Sequence, residues 1–442
     1  MPVYFFIDFL STYCPVSLPL AFTLLLITVT YFVRNRGLPP GPIGLPYFGY
    51  WPFMKNSNAH FKLDGLKKKY GDIFCFGCTG RLYINLGSYK AIREALVTKS
   101  ECFGERMSGY HLFGHVFKGG VIYINGEAWR VARKFFLVNM KERGANSLKT
   151  SIAGPLYDSI QCSVNELKAR NGEPLNLIEF CTHRCNTFLR LTMFGAMGAT
   201  AEQIIKFNEL YSVAVQCITP TNMLLCGTFA KYFIFPFTPY YNETVKCNEQ
   251  MEKLVYDIIN EHKATYDAEN PRNIIDEYFK ERDKRRSKGD PTAEYFADEI
   301  LMGTLSQFMG DGVLIVSSFT CLLMKNFLLH PEEQEKLYEE ITEVVGVQRL
   351  PTIEDKSKLT YFNAYVLESM RTSDFFTFFP SQECIKETTL KLFKIPKRTI
   401  VIENFSRVIM IPKCMTDKKF NPSVHTNGWK EKSRSTNFVW NR

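Results

Sequence analysis

Two hydrophobic periods alternate along this chain, and the helical period dominates. Between Tyr70 and Leu86, two short apolar runs separated by glycines predict a β-hairpin, and Ser88 to Leu96 then predicts a helix. Apolar residues recurring about every 3.6 positions predict longer helices, the last of them apolar enough to cross a core. These helices are predicted at Val255 to Lys263, Asn273 to Arg282 and Glu294 to Leu329. Strand patterns return late, at Thr389 to Pro396 and Thr399 to Glu403.

The first 34 residues have a different pattern. No formal charge lies between Asp8 and Arg34, and Val16 to Val33 is dense in Leu, Val, Ile, Phe and Thr. About 20 such residues cross the hydrocarbon layer of a bilayer. The alternative is a cleaved secretory signal, but no basic residue precedes the apolar stretch, and arginine follows it where a small-residue cleavage site would stand. We therefore expect a retained anchor over residues 1–34, with the following chain on the cytosolic side.

A proline- and glycine-rich segment at residues 35–50 follows the predicted anchor. It contains Leu-Pro-Pro-Gly-Pro at 38–42, and Gly44, Pro46 and Gly49 come next. Because proline fixes φ and lacks an N–H donor, this segment is predicted to be a stiff extended hinge.

Composition narrows the class of protein. The 442 residues are 45% hydrophobic and 22% charged, which is typical of a globular protein and argues against long disorder or a fully embedded transporter. The net charge of +9 is not concentrated in a basic stripe, so no nucleic-acid partner is expected. The 13 cysteines are odd in number and dispersed, which favours reduced thiols.

Cysteine spacing does not predict a metal site. The pair Cys75 and Cys78 has no second pair at a metal-site distance in sequence, and it falls in a predicted strand. The trio Cys181, His183 and Cys185 falls in a helical stretch, where positions two apart do not share a face. Ordinary packing is the favoured interpretation of both.

Two short motifs combine side chains that suit specific chemistry. Trp129 and Arg133 are four residues apart, so in a helix an indole and a guanidinium lie on one face and suit a flat ring system bearing a carboxylate. Glu368 and Arg371 are three apart in a second helical stretch and are expected to form a bidentate ion pair. For either motif alone, the alternative is an ordinary surface interaction worth under about 1 kcal/mol.

Together, the motifs resemble those of the cytochromes P450, the haem-thiolate monooxygenases, and specifically the microsomal animal type. The ordered set runs from the anchor to about Phe420. Its parts are Pro-Pro-Gly-Pro at 39–42, Tyr-Gly-Asp-Ile-Phe at 70–74, Trp-x-x-x-Arg at 129–133, His-Pro-Glu-Glu-Gln at 330–334, Glu-x-x-Arg at 368–371 and Ile-Pro-Lys-Arg-Thr at 395–399.

The resemblance implies a mainly α fold with a small β region over residues 51–427, and haem held between the long central helix and a cysteine-bearing loop. It implies that Trp129 and Arg133 bind a haem propionate and that Glu368 and Arg371 form the family's buried ion pair. It also implies electrons from NADPH through a reductase partner, attachment to the cytosolic face of the endoplasmic reticulum membrane and a lipophilic substrate. The stretch from Tyr110 to His115, with the aromatic block near Phe233, would line or gate an apolar pocket.

The chain departs from the family pattern along the central helix and after the ion-pair motif. The Ala-Gly-x-acid-Thr motif falls on residues 311–315, which keeps Gly312 but places Leu314 and Ile315 where the proton-relay side chains belong. Neither of these side chains can donate a proton. A His/Arg pair that often binds haem carboxylates is replaced by Gln382 and Glu383, and a glutamate there is expected to repel them.

The C-terminal region departs most. The third member of the family's ion-pair cluster would be an arginine, but Val424 and His425 follow Phe-Asn-Pro-Ser at 420–423, so only His425 is available as a replacement. Residues 428–442 form a divergent polar tail, and no cysteine follows Cys414, so the cysteine loop is expected to be missing.

These observations predict a haem-dependent monooxygenase of a lipophilic substrate that is C-terminally incomplete and inactive in this form. One alternative is an isomerase or dehydratase of the same fold that rearranges peroxides, since such enzymes need neither proton relay nor reductase. The other is a membrane-anchored binding protein without catalysis.

Overall fold

The computed structural model describes residues 22, 36–54, 59–116, 119–144, 153–195, 198–372, 378–404 and 422. The predicted anchor, apart from Phe22, lies outside the described residues, as do His425 and the tail at 428–442.

Helices make up most of the described chain. They are α1 (Ala59–Tyr70), α2 (Tyr89–Arg93), α3 (Ser100–Phe103), α4 (Leu112–Val116), α5 (Gly126–Gly144), α6 (Ala153–Ala169), α7 (Leu177–Phe194), α8 (Ala201–Ala214), α9 (Tyr241–Ala264), α10 (Ile274–Ser287), α11 (Asp298–Gln307), α12 (Val313–Leu329), α13 (Pro331–Val344) and α14 (Thr360–Thr372). The helices predicted within 255–263 and 273–282 are confirmed as parts of α9 and α10.

The strands form two small sheets. They are β1 (Ile73–Cys78), β2 (Arg81–Leu86), β3 (Glu105–Arg106), β4 (Phe378–Glu383), β5 (Thr388–Leu390), β6 (Phe393–Ile395) and β7 (Ile400–Asn404). One sheet has the order β1-β2-β7-β4-β3, in which β2 and β7 are parallel and the other neighbours antiparallel, and β5 and β6 form the second. The mainly α architecture with a small β region is therefore confirmed, as are the hairpin and the late strands.

Local sequence explains where several elements begin and turn. In the β1–β2 hairpin, Thr79 and Gly80 both have positive φ, at 44° and 75°, which suits the two-residue turn that matches strand twist. Ser88 caps α2 by accepting from the Ala91 N–H at 3.4 Å. Thr200 and Gln203 form a reciprocal capping box at the start of α8.

The proline-rich hinge lies against the sheet. The Cys75 N–H donates to the Pro40 carbonyl at 2.9 Å, and the Tyr50 N–H donates to Gly77 at 2.7 Å. A Cβ built on Gly41 would come within 1.6 Å of the Cys75 oxygen, so only glycine allows this approach. Hydrogen bonds to β1 therefore hold this segment, which was predicted to be extended, against the globular domain.

The central helix begins later than predicted and is interrupted. Residues Pro291–Tyr295 form a 3₁₀ turn, α11 begins at Asp298, and a π turn at Phe308–Gly312 joins α11 to α12. By length and composition alone, residues 298–329 would also suit a membrane span. However, α11 packs on α9 and α12 packs on α7. The expectation of a helix running through a core holds for α11, whereas α12 exposes Leu314 to Val316.

The largest hydrophobic core lies among α5, α8, α9, α10 and α11. Phe135 and Phe136 of α5 contact Tyr278 of α10, at ring centroid distances of 5.5 and 6.0 Å. Burying each such aromatic side chain is worth about 1.5–3 kcal/mol, so this core fixes α5 relative to the central helix.

Candidate functional site

Trp129 and Arg133 lie together on α5, as the sequence predicts. The Arg133 guanidinium is 5.4 Å from the centroid of the Trp129 ring. Ala132 and Phe136 of the same helix are buried in the core, which orients α5 and leaves the Trp–Arg face only partly covered. In the described part of the chain, neither the indole N–H nor the guanidinium has a hydrogen-bond acceptor. Both donors are therefore available to a carboxylate.

Glu368 and Arg371 form a bidentate ion pair on α14. Arg371 donates from Nε and Nη2 to the two carboxylate oxygens of Glu368, at 2.7 and 2.6 Å. Their side chains are only 1% and 12% exposed, so the predicted pair is confirmed and the alternative of a surface pair is wrong. The Asn326 amide of α12 donates to the Ser369 hydroxyl at 3.1 Å, so α14 is also held against the central helix.

Gly312 lies at the end of the π turn, but no close approach requires a glycine there. A Cβ added to Gly312 would meet Leu189 at 3.6 Å, an ordinary contact. A Cβ on Gly310 would come within 2.6 Å of the Tyr211 ring. The glycine needed for packing in this turn is therefore Gly310, which the family motif did not indicate.

A partly buried acid, Asp311, lies in the same turn. The Tyr211 hydroxyl of α8 donates to the Asp311 carboxylate. Burial raises the pKa of Asp311 to about 6, against the lowering effect of the Tyr211 hydrogen bond. Sequence reasoning missed this pair, although an aspartate inside an apolar helical run was a usable signal.

The proton-relay positions carry apolar side chains on a partly open helix face. Leu314 and Ile315 are 43% and 36% exposed. This stretch of α12 therefore offers an apolar surface, and neither side chain offers a proton donor.

Gln382 and Glu383 lie on β4 and differ in their surroundings. The Arg81 guanidinium is 2.8 Å from the Glu383 carboxylate, which also accepts from the Ser108 N–H at 2.7 Å and its hydroxyl at 2.6 Å. Burial raises the pKa of Glu383, but these hydrogen bonds and the Arg81 charge outweigh it, so the pKa is lowered overall. The expected repulsion of haem carboxylates assumed that the Glu383 charge has no partner. In the structure, Arg81 neutralises this charge and Ser108 donates to it. The Gln382 side-chain oxygen is buried and accepts no hydrogen bond from the residues that the structure describes.

A cavity of about 700 Å³ lies beside the loop at 107–111, which precedes α4. Tyr110, His111 and His115 line it, as expected for this stretch. Two features differ from the expected apolar pocket. Ser108, Tyr123, Asn125 and Lys231 make the lining polar, and Phe233 is 65% exposed and does not belong to it.

The described residues provide only part of what haem binding needs. The donors of Trp129 and Arg133 suit a propionate. The thiolate ligation of haem iron that the family resemblance implies requires a deprotonated cysteine. Burial instead raises the pKa of eight of the described cysteines. Cys384, for example, has its pKa raised to about 11 and donates to the Lys386 carbonyl at 3.0 Å. None of these eight has the environment of a thiolate ligand.

Comparisons with known proteins show the family of the chain. The family model described as Cytochrome P450 matches residues 39–427. Cytochrome P450 2B12 of Rattus norvegicus is 29% identical over 426 residues, covering 95% of this chain and 85% of the relative. Cytochrome P450 2B4 of Oryctolagus cuniculus is 28% identical, covering 91% and 81%. Cytochrome P450 2H2 of Gallus gallus is 29% identical, covering 93% and 84%.

Proposed function

Because the chain belongs to the cytochrome P450 family, whose members are haem monooxygenases, we propose that its role is oxidation of a lipophilic substrate with haem anchored on α5. The observation that carries the proposal is the Trp129–Arg133 pair, whose donors have no hydrogen-bond acceptor among the described residues. The pair lies on a helix that the family model matches. We further propose that residues 1–442 by themselves do not form a thiolate-ligated haem and are inactive. The described cysteines support this, because burial keeps most of them protonated.

The proposed roles of the side chains follow from their contacts. Bound haem would supply the oxygen chemistry. Arg133 and Trp129 would donate to one of its carboxylates and fix its orientation, while the Glu368–Arg371 pair keeps α14 in place. Leu314 and Ile315 would exclude water without moving a proton. The endoplasmic reticulum membrane and an NADPH-dependent reductase belong to the same proposal.

The spectrum of the haem-reconstituted protein tests ligation. The full chain is mixed with haemin, reduced and exposed to CO, and we expect no thiolate-type Soret band. Retention of haem through gel filtration is measured in parallel, because the α5 donors can hold a propionate without an axial thiolate. A thiolate-type band would contradict the proposal of inactivity. Loss of all haem would contradict the proposed role of α5.

The second candidate is a peroxide-rearranging isomerase or dehydratase, favoured by Leu314 and Ile315 at the relay positions. Such an enzyme would ignore NADPH and convert a lipid hydroperoxide directly. The discriminating measurement uses a variant carrying the family's cysteine loop, assayed with hydroperoxide and with NADPH plus reductase. Adding Leu314→Glu and Ile315→Thr should raise only the reductase-dependent rate if the relay is what is missing.

The third candidate, a binding protein without catalysis, predicts a domain that melts cooperatively and whose melting temperature added haem leaves unchanged. A haem-dependent rise in melting temperature favours the first two candidates, because a ligand that binds the native state stabilises it.

A further inference from the structure

The cavity beside the loop at 107–111 has the size of a small-molecule site. Its volume is about 700 Å³, within the range of about 300–1,000 Å³ common for ligand pockets. It is bounded by Ser108 and Tyr110 from the loop, by Lys231, and by Tyr241 at the start of α9.

The charged side chain among the described residues that line this cavity is positive. The described residues that line it include Lys231 and no aspartate or glutamate. Burial lowers the pKa of His111 to about 4, so this imidazole is neutral near pH 7. The nearby Glu383 is already paired with Arg81 and Ser108. An anion entering the cavity would therefore meet an ammonium group and no lining carboxylate.

Lys231 is held in place without an anionic partner. Its ammonium lies 5.3 Å from the centroid of the Tyr110 ring and 5.1 Å from that of Tyr232. The side chain is half-buried, and no carboxylate of the described residues lies within ion-pair distance. Two ring faces position the charge, but they neutralise it far less than a carboxylate would.

A hydroxyl donor lies near the ammonium. The Tyr110 and Tyr241 oxygens are 2.6 Å apart, so one hydroxyl donates to the other. Burial raises the pKa of Tyr110, so this hydroxyl keeps its proton. Two hydroxyls sharing one hydrogen bond leave one O–H free, which adds a second donor for an anion.

We propose that this cavity binds a small molecule bearing a single anionic group, such as a carboxylate, with Lys231 as the residue that recognises the anion. Binding of the anion does not depend on the proposed function. Only the identification of this ligand as the substrate rests on it. A charge-assisted contact of this kind corresponds to about tenfold in affinity or more.

Calorimetric titration of the full chain in nonionic detergent tests the inference. The probes are 2-naphthoate, the neutral 2-naphthalenemethanol and the cationic 2-naphthylmethylammonium, which share one ring system. We expect naphthoate to bind about tenfold more tightly than the alcohol, and the cation to bind most weakly.

The variants separate the ammonium group from general effects on folding. Lys231→Met should remove the preference for naphthoate, whereas Lys231→Arg should retain it. Lys246→Met is the matched control, because Lys246 lies on α9 but does not line the cavity. Equal affinities for the three probes, or a naphthoate preference that survives Lys231→Met, would overturn the inference. Because the titration needs no haem, it is independent of the spectroscopic test of the proposed function.

Discussion

Helices α5 and α14 each carry an arginine of a predicted motif, and the two arginines differ in their partners. Arg371 of α14 is 12% exposed and donates twice to Glu368, which is 1% exposed. Arg133 of α5 has an indole beside it and no carboxylate among the described residues. An arginine paired internally stabilises the fold, and one left unpaired is available for a ligand. The comparison teaches that the partner, and not the residue type, separates these two roles.

The largest expected effect is at the buried pair. Glu368→Gln should destabilise the fold by about 3–5 kcal/mol, because the buried Arg371 guanidinium then loses the negative charge of the carboxylate to which it donates twice. Urea unfolding followed by circular dichroism measures the change in the free energy of unfolding. The double variant Glu368→Gln with Arg371→Met should recover part of the loss, and a single substitution costing under about 1 kcal/mol would show that the pair behaves as a surface pair.

A second effect concerns Asp311, a partly buried acid whose partner is the Tyr211 hydroxyl and not an arginine. Its pKa rises from 3.8 to about 6 on folding, so the folded state favours the protonated acid. That stabilisation is complete below about pH 4 and is lost as the pH rises through about 6. Asp311→Asn keeps an acceptor for Tyr211 and should stabilise the fold by about 2–3 kcal/mol at pH 8.

Melting temperatures from pH 4 to pH 8 measure this effect. The gain of Asp311→Asn over the wild type should shrink as the pH falls toward 4. Asp283→Asn serves as the control because Asp283 is 49% exposed. A gain that does not vary with pH would exclude titration of Asp311 as its cause.

A third effect tests the unpaired arginine. Arg133→Ala should weaken haem binding by about tenfold while leaving the free energy of unfolding of the haem-free protein nearly unchanged, because no carboxylate of the described residues pairs with its guanidinium. Quenching of tryptophan fluorescence by added haemin measures the affinity. Arg130→Ala on the same helix is the matched control, since Arg130 is 72% exposed and paired with Glu127. Equal losses of affinity in the two variants would remove the distinction between these arginines.

The smallest effect is expected at that exposed pair. Glu127 and Arg130 have the same three-residue spacing as Glu368 and Arg371, but they are 52% and 72% exposed, with an N···O distance of 3.1 Å. Glu127→Gln should change the free energy of unfolding by less than about 0.5 kcal/mol. Urea unfolding beside Glu368→Gln measures the contrast, and a large loss would mean that helical spacing matters more than burial.

Local patterns predicted the site where its residues share one helix. The Trp129–Arg133 and Glu368–Arg371 pairs follow from spacings of four and three residues, which fix adjacency before tertiary packing is known. Burial was not predictable in the same way. The exposed Glu127–Arg130 pair has the spacing of the buried one, and only the surrounding helices distinguish them.

Contacts distant in sequence account for what was missed. Tyr211 and Asp311 are 100 positions apart and meet only because α8 packs across the π turn. The π turn gave no separate signal, since the hydrophobic period continues through it. The polar lining of the cavity likewise required Lys231 and Tyr241 to approach a loop more than one hundred residues earlier in the chain.

The hydrogen bonds between the proline-rich segment and the sheets limit movement at that end of the domain. The Lys394 N–H donates to the Gly37 carbonyl at 2.7 Å, and the Pro40 carbonyl accepts from Cys75. Residues 37–40 are therefore fixed to both sheets, since each residue released from such contacts would add only about 3.5 Å of reach. A segment fixed at these points cannot serve as a free swivel between Gly37 and Pro40.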